Sequence, residues 1–112
     1  MKSVVNIAGK GRGVITTEHI KKGSLVELSD VIGIRFADIE HTILADYVYE
    51  FGEDHCLCLG LGSLFSHSRY PNLWLREFVE ERKVGFYARY NIESGTELTI
   101  DYGYEPEGYD GT

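Results

Sequence analysis

The sequence predicts a mainly β domain made of many short strands. Three observations carry that prediction. Apolar runs rich in β-branched residues recur from Val4 to Ile100, with turn signals about every 8 to 12 residues. Glycine is abundant at 13 residues and proline scarce at 2, so tight turns must be built largely from Gly. Only one stretch has a helical period.

The expected strands follow in order. Val4-Val5-Asn6-Ile7 and Gly13-Val14-Ile15 come first, then Leu25-Val26-Glu27-Leu28 and Val31-Ile32-Gly33-Ile34. Cys56 to Leu59, Leu73 to Leu75, Val84 to Ala88 and Leu98 to Ile100 complete the set. His19-Ile20-Lys21-Lys22-Gly23 and Asn91-Ile92-Glu93-Ser94-Gly95 read as turns of similar design, each leading into a short apolar segment. Between them, Ile39, Ile43, Leu44, Tyr47, Val48 and Phe51 share one face at helical spacing. Asp38 is placed to cap that helix and Gly52 to stop it, which predicts one short helix there.

No linker, low-complexity tract or repeat of about 20 to 50 residues interrupts the pattern. One domain is expected over residues 1–112, with a short acidic tail at 105–112. With 43% apolar residues the chain is neither disordered nor membrane-like. No apolar run reaches the roughly 20 residues of a membrane span, and Met1-Lys2-Ser3 leads into no signal-peptide pattern. A soluble intracellular protein is the expectation.

Cys56 and Cys58 are separated by one residue and would project from the same face of a strand. A bond between them would need a strained turn, so two reduced, buried thiols are expected. His55 and His67 suggest a zinc site, but no CxxC pair exists and the flanks are apolar. No metal is expected.

The formal net charge is −7, and after Arg89 come Glu93, Glu97, Asp101, Glu105, Glu107 and Asp110 with no further basic residue. Alone, such a run reads as a solvated tail. As a field it repels phosphates and attracts cations, so a cationic partner is expected and direct nucleic-acid binding is not.

Two segments near the C-terminal end are the most informative. Phe65-Ser66-His67-Ser68-Arg69-Tyr70-Pro71-Asn72 is followed by Gly95-Thr96-Glu97-Leu98-Thr99-Ile100-Asp101-Tyr102-Gly103-Tyr104, and Lys10-Gly11-Arg12-Gly13-Val14 precedes both. A Ser66-His67-Ser68 hydrolase does not fit, because adjacent residues seldom form a triad and no G-x-S-x-G elbow is present. The ordered trio instead resembles the GxG, Asn-His-Ser/Cys…Pro-Asn and Glu-Leu-Thr…Asp-Tyr segments of the SET-domain protein lysine methyltransferases. The resemblance covers about residues 4 to 104. With no cysteine-rich segment on either side, the chain looks like the minimal free-standing SET proteins of viruses and bacteria.

The resemblance implies a β-clip-like fold of small curved sheets closed by a C-terminal pseudoknot. It implies S-adenosylmethionine as cofactor and the lysine of a basic protein, such as a histone tail or a histone-like or ribosomal protein, as substrate. Tyr102 is then the catalytic residue, at the junction of cofactor and lysine. Lys10, Gly11, Arg12, Gly13, Ser66, His67 and Tyr102 contact the cofactor, and Tyr47 and Tyr104 wall the lysine channel. A homodimer is expected. Localisation would be cytoplasmic for a bacterial source, or the host nucleus for a viral one.

Two positions depart from the family pattern. Ser66 stands where the family usually has Asn, which puts about one cofactor hydrogen bond, 0.5–1.5 kcal/mol, at stake. Ile100 stands where many members carry Phe or Tyr, and the smaller side chain points to di- or trimethylation. Two other readings stay open: a SET-like module that binds peptide or cofactor without turnover, and a β-clip structural or sugar-binding domain.

Overall fold

The computed structural model describes residues 2–7 and 11–101. Strand β1 (Lys2–Ile7) and strand β2 (Gly11–Thr16) form an antiparallel hairpin in register from Lys2↔Thr16 to Ile7↔Gly11. The ten-residue β3 (Leu25–Ile34) is the spine of a five-stranded antiparallel sheet. Its first half pairs with β8 (Lys83–Ala88), and its second half pairs with β5 (Asp54–Cys58). Strands β4 (Val48–Phe51) and β7 (Leu73–Phe78) complete the order β4-β5-β3-β8-β7. A third, two-stranded sheet pairs β6 (Ser66–His67) with β9 (Thr99–Ile100) in parallel.

Burial alternates along the strands as a sheet with one covered face requires. On β8, Val84, Phe86 and Ala88 are fully enclosed; on β7, Leu73 and Leu75 face the same way. Phe86 sits at the centre, edge-on to Phe65 at 4.9 Å and to Tyr49 at 5.6 Å between ring centroids. Such pairs add about 0.5–1.5 kcal/mol to the burial of each ring. Cys56 and Cys58 face this core from β5 as free thiols. Cys58 is pushed upward by its neighbour Cys56 and by burial, so it stays a neutral thiol.

The two turns of similar design lie side by side. Ile20 and Ile92 bridge them, Gly95 donates to the Thr16 carbonyl at 2.7 Å, and Thr16 donates to the Thr96 carbonyl at 3.1 Å. The chain then runs on against β2, with Leu98 donating to the Val14 carbonyl, before entering β9. The threading implied for the segment beyond Asp101 lies outside the described residues.

The expected helix between Asp38 and Gly52 does not form. In its place are two short 3₁₀ turns, Phe36–Asp38 and Ile43–Asp46, and then β4. The proposed apolar face is not a buried stripe: Ile39 is enclosed, while Ile43 is 72% exposed. Tertiary structure overrides the period. Tyr49 is buried and donates its hydroxyl to the Gly62 carbonyl at 2.8 Å, and Val48 to Phe51 pair with Leu57 to Asp54. Gly52 is not a helix stop but the first central residue of a two-residue hairpin. Its φ of +59° matches the positive value a type II′ turn demands there.

Candidate active site

A cleft of about 990 Å³ lies between the start of β2, the turn at Ile43–Asp46 and the segment Ser63–His67. Gly11 and Arg12 form one wall, Tyr47 and Val48 another, and Leu64, Phe65, Ser66 and His67 the base. Phe36 and His55 line the far end, their rings 4.9 Å apart. The β3–β5 register brings them there, since Ile34 faces His55.

The base is fixed by β9. Its parallel pairing sets Ser66 opposite Thr99 and His67 opposite Ile100, and Ser68 donates to the Ile100 carbonyl at 3.0 Å. Asn72 clamps the same segment. Its Nδ2 donates to the Glu97 carbonyl at 2.8 Å, and its Oδ1 accepts from the Thr99 amide at 2.8 Å. Behind the base, the Ser66 hydroxyl donates to Glu97 Oε2. Gly13 makes room for this pair, because a Cβ there would lie 2.7 Å from Glu97 Oε2 and 3.2 Å from Ser66 Oγ. Gly11 is different: its φ is +88° and a Cβ would meet nothing within 4 Å.

Of the charged residues that line the cleft, Arg12 is basic and Asp46 acidic, and the segment that supplies much of the lining carries further carboxylates. Residues 36–68 contain Asp38, Glu40, Asp46, Glu50, Glu53 and Asp54 and no Lys or Arg. Asp54 accepts from the Phe36 amide at 3.0 Å and contacts His55 Nδ1 at 3.1 Å. Those two bonds, the backbone one first, hold its carboxyl below the usual range. At the other end His67 Nδ1 lies 3.8 Å from Asp101 Oδ1.

The structure thus gathers Gly11, Arg12, Tyr47, Ser66 and His67 into one cleft, with Gly13 packed directly behind. Tyr47 reaches it from the end of a 3₁₀ turn rather than from a helix. Lys10, Tyr102 and Tyr104 lie outside the described residues. Among the described residues no group of three His, Cys, Asp or Glu side chains could hold a metal. Phe36, Asp46 and Glu97 were not singled out as site residues from sequence, and His55 was weighed only as a zinc ligand. Glu97 could have been, since it opens the last motif; Phe36 had no local signal.

A SET-domain family model matches residues 11–103, and the chain belongs to that family. A histone H3 lysine-37 methyltransferase of Schizosaccharomyces pombe is 34% identical over 84% of this chain and 67% of its own length. Set8, a histone-lysine methyltransferase of Drosophila pseudoobscura, is 34% identical over 89% of this chain but only 17% of its own length. Among solved structures, a candidate histone methyltransferase of Plasmodium falciparum superposes with a TM-score of 0.77. It is 31% identical, over 94% of this chain and 99% of that one. KRYPTONITE, solved with methylated DNA, an H3(1–15) peptide and S-adenosylhomocysteine, gives a TM-score of 0.70. It is 29% identical, over 99% of this chain and 25% of that one. The chain is accordingly a protein-lysine methyltransferase that uses S-adenosylmethionine. These relatives are eukaryotic, and they lend no support to a minimal viral or bacterial origin.

The residues present fit that cofactor. An exposed strand start with an open Gly11 and the half-exposed Ser66 and His67 offer close backbone approach beside a cleft of sufficient volume.

Proposed function

We propose that the cleft methylates a lysine in a histone tail, with Tyr102 as the catalytic residue. One observation carries the assignment of residues. The β6–β9 pairing brings Ser66–His67 and Thr99–Ile100 together at the cleft base, and Asp101, the residue before Tyr102, lies beside the cleft-lining His67. The charge of residues 36–68, six carboxylates with no Lys or Arg and the cleft-lining Asp46 among them, supports a basic substrate, because it attracts a lysine- and arginine-rich peptide.

The cofactor supplies an electrophilic methyl group on a sulfonium. The lysine nitrogen forms the new N–C bond as the C–S bond breaks, leaving a neutral thioether and releasing one proton to solvent. The amine must attack unprotonated, although its ordinary pKa is about 10.4. Enclosure between Tyr47, Val48 and Leu64 desolvates the ammonium and lowers that value. Arg12 and Lys10 are the cationic candidates for the cofactor's carboxylate, and Ser66 and His67 for its adenosyl side. By the family resemblance, Ile100 in place of a larger aromatic favours two or three methyl groups; its own side chain packs in the core. A second copy of the chain covering the cofactor completes the proposal, and such an enzyme works in the compartment that holds chromatin.

The deciding experiment is transfer of labelled methyl to an H3(1–15) peptide and to core histones, with Tyr102→Phe alongside. Loss of a single positioned hydroxyl donor is expected to lower turnover by about 100-fold or more. Undiminished turnover in the variant would remove Tyr102 from the role. The second reading is a module that binds a basic peptide or the cofactor without turnover; the Ser66 hydroxyl, engaged by Glu97, is withdrawn from the cofactor, which weakens its hold. S-adenosylhomocysteine binding without transfer to any histone would select it. A monomer in sedimentation at working concentration removes the dimer.

A further inference from the structure

We infer that the edge formed by the loops around Lys21, Tyr70 and Tyr90 is a binding surface for single-stranded nucleic acid. Three loops distant in sequence are stitched together there. Gly23 donates to the Ala88 carbonyl at 2.8 Å, Ala88 donates to the Ser24 carbonyl at 2.9 Å, and the Lys22 amide donates to Asn91 Oδ1 at 2.9 Å. The Arg89 amide donates to the Asn72 carbonyl at 2.8 Å, which brings in the loop carrying Arg69 and Tyr70.

Cations and exposed aromatic rings share this edge. Lys21, Lys22 and Arg69 are exposed, Tyr70 is 90% exposed, and Tyr90 is 48% exposed beneath the Arg89 guanidinium, 5.3 Å from its ring. Among the described residues no carboxylate pairs with Lys21, Lys22 or Arg69, whereas Lys2, Arg35 and Lys83 are paired with Glu27, Asp38 and Asp30. Glu18 and Glu93 border the cluster, so its local balance remains positive. Flat tyrosine faces beside cations that contact the phosphate backbone are the elements of single-strand recognition, since every base can stack.

Six of the 18 acidic residues lie in residues 36–68, away from this edge. The acidic segment begins just past Ile34, at the C-terminal end of β3, and the basic loops lie at its N-terminal end. A ten-residue strand spans about 30 Å, against a screening length of about 8 Å at physiological salt. This inference stands whether or not the histone-tail reading does.

The test is fluorescence anisotropy with a labelled single-stranded oligonucleotide of about 12 nucleotides and its duplex, at low and physiological salt. The single strand is expected to bind more tightly. Lys21→Glu with Lys22→Glu should weaken it about tenfold or more and reduce the salt slope by about 1.4 units, as two lost phosphate contacts require. Tyr70→Ala should weaken it about fivefold or more by removing one stacking face. Thermal melts and cofactor binding of the variants should match the parent, which excludes misfolding. Absence of binding at low salt, tighter binding to duplex, or affinity unmoved by these substitutions would each overturn the inference.

Discussion

Asn72 and Thr99 hold each other reciprocally. The Asn72 amide donates to Thr99 Oγ1 at 3.1 Å, and the Thr99 amide donates to Asn72 Oδ1 at 2.8 Å. Each side chain satisfies the other's backbone at the point where the last strand must lie beside Ser66. The two-residue β9 has too short a ladder to hold itself there.

Asn72→Ala should therefore cost more than a surface change. It removes the acceptor for Thr99 and the donor for the Glu97 carbonyl and leaves both backbone groups unpaired. At about 1 kcal/mol or more for each half-buried group, the loss is about 2 to 3 kcal/mol, or about 10 °C in Tm. Turnover should fall further than stability, because the displaced segment is the cleft base. Calorimetry and single-turnover transfer check the two effects separately.

Ile100→Phe tests the number of methyl groups added. Ile100 is fully enclosed in the core, so the larger ring must displace neighbours, at about 1–3 kcal/mol. Mass spectrometry of the peptide product should show di- and trimethyl species for the parent chain. The variant should shift towards monomethyl. Monomethyl product alone from the parent at long times would remove the role given to Ile100.

The thiols should be silent. Cys58 is raised by Cys56 and by burial, and both side chains are enclosed in the core. A thiol-reactive chromogenic disulfide should modify neither cysteine in the native protein, and both at the rate of unfolding once denaturant is added. Fast native reaction would place at least one of them elsewhere.

Asp54 gives the far end of the cleft an acid limit. Its carboxyl is lowered in the folded state, so its contribution is present above the ordinary carboxylate range and lost as pH falls through the lowered value. As pH falls below the ordinary carboxylate range and through that lowered value, the Phe36 amide should lose exchange protection, with the sign of a proton taken up on release. Asp54→Asn should remove that step. An unchanged profile would assign the protection to packing of Phe36 on His55.

Much of the fold was legible because β-branched runs and Gly turns are local signals. Val4–Ile7 and Val84–Ala88 became strands, and the two Gly-ended turns became neighbours. What misled was Val48 to Phe51, where apolar spacing suited a helix but the partner strand Asp54–Cys58 was invisible to a local pattern. The site was legible as a family motif and not as geometry. Ser66 and His67 could be named, yet their neighbours Phe36 and His55 arrive through the register of β3 with β5, which only the folded sheet sets. The close packing of Glu97, Ile7 and Ser66 around the Cα of Gly13 is likewise a product of the fold that no local pattern displays.

The parallel contact of β6 with β9 also bears on time. Its ties join residues far apart in sequence, 31 for Ser66 to Glu97 and 27 for Asn72 to Thr99, and they close a strand of two residues. Contacts of long reach and small area form late and open early. Catalytic competence should then be the last property gained in refolding and the first lost on warming, while the five-stranded sheet still stands.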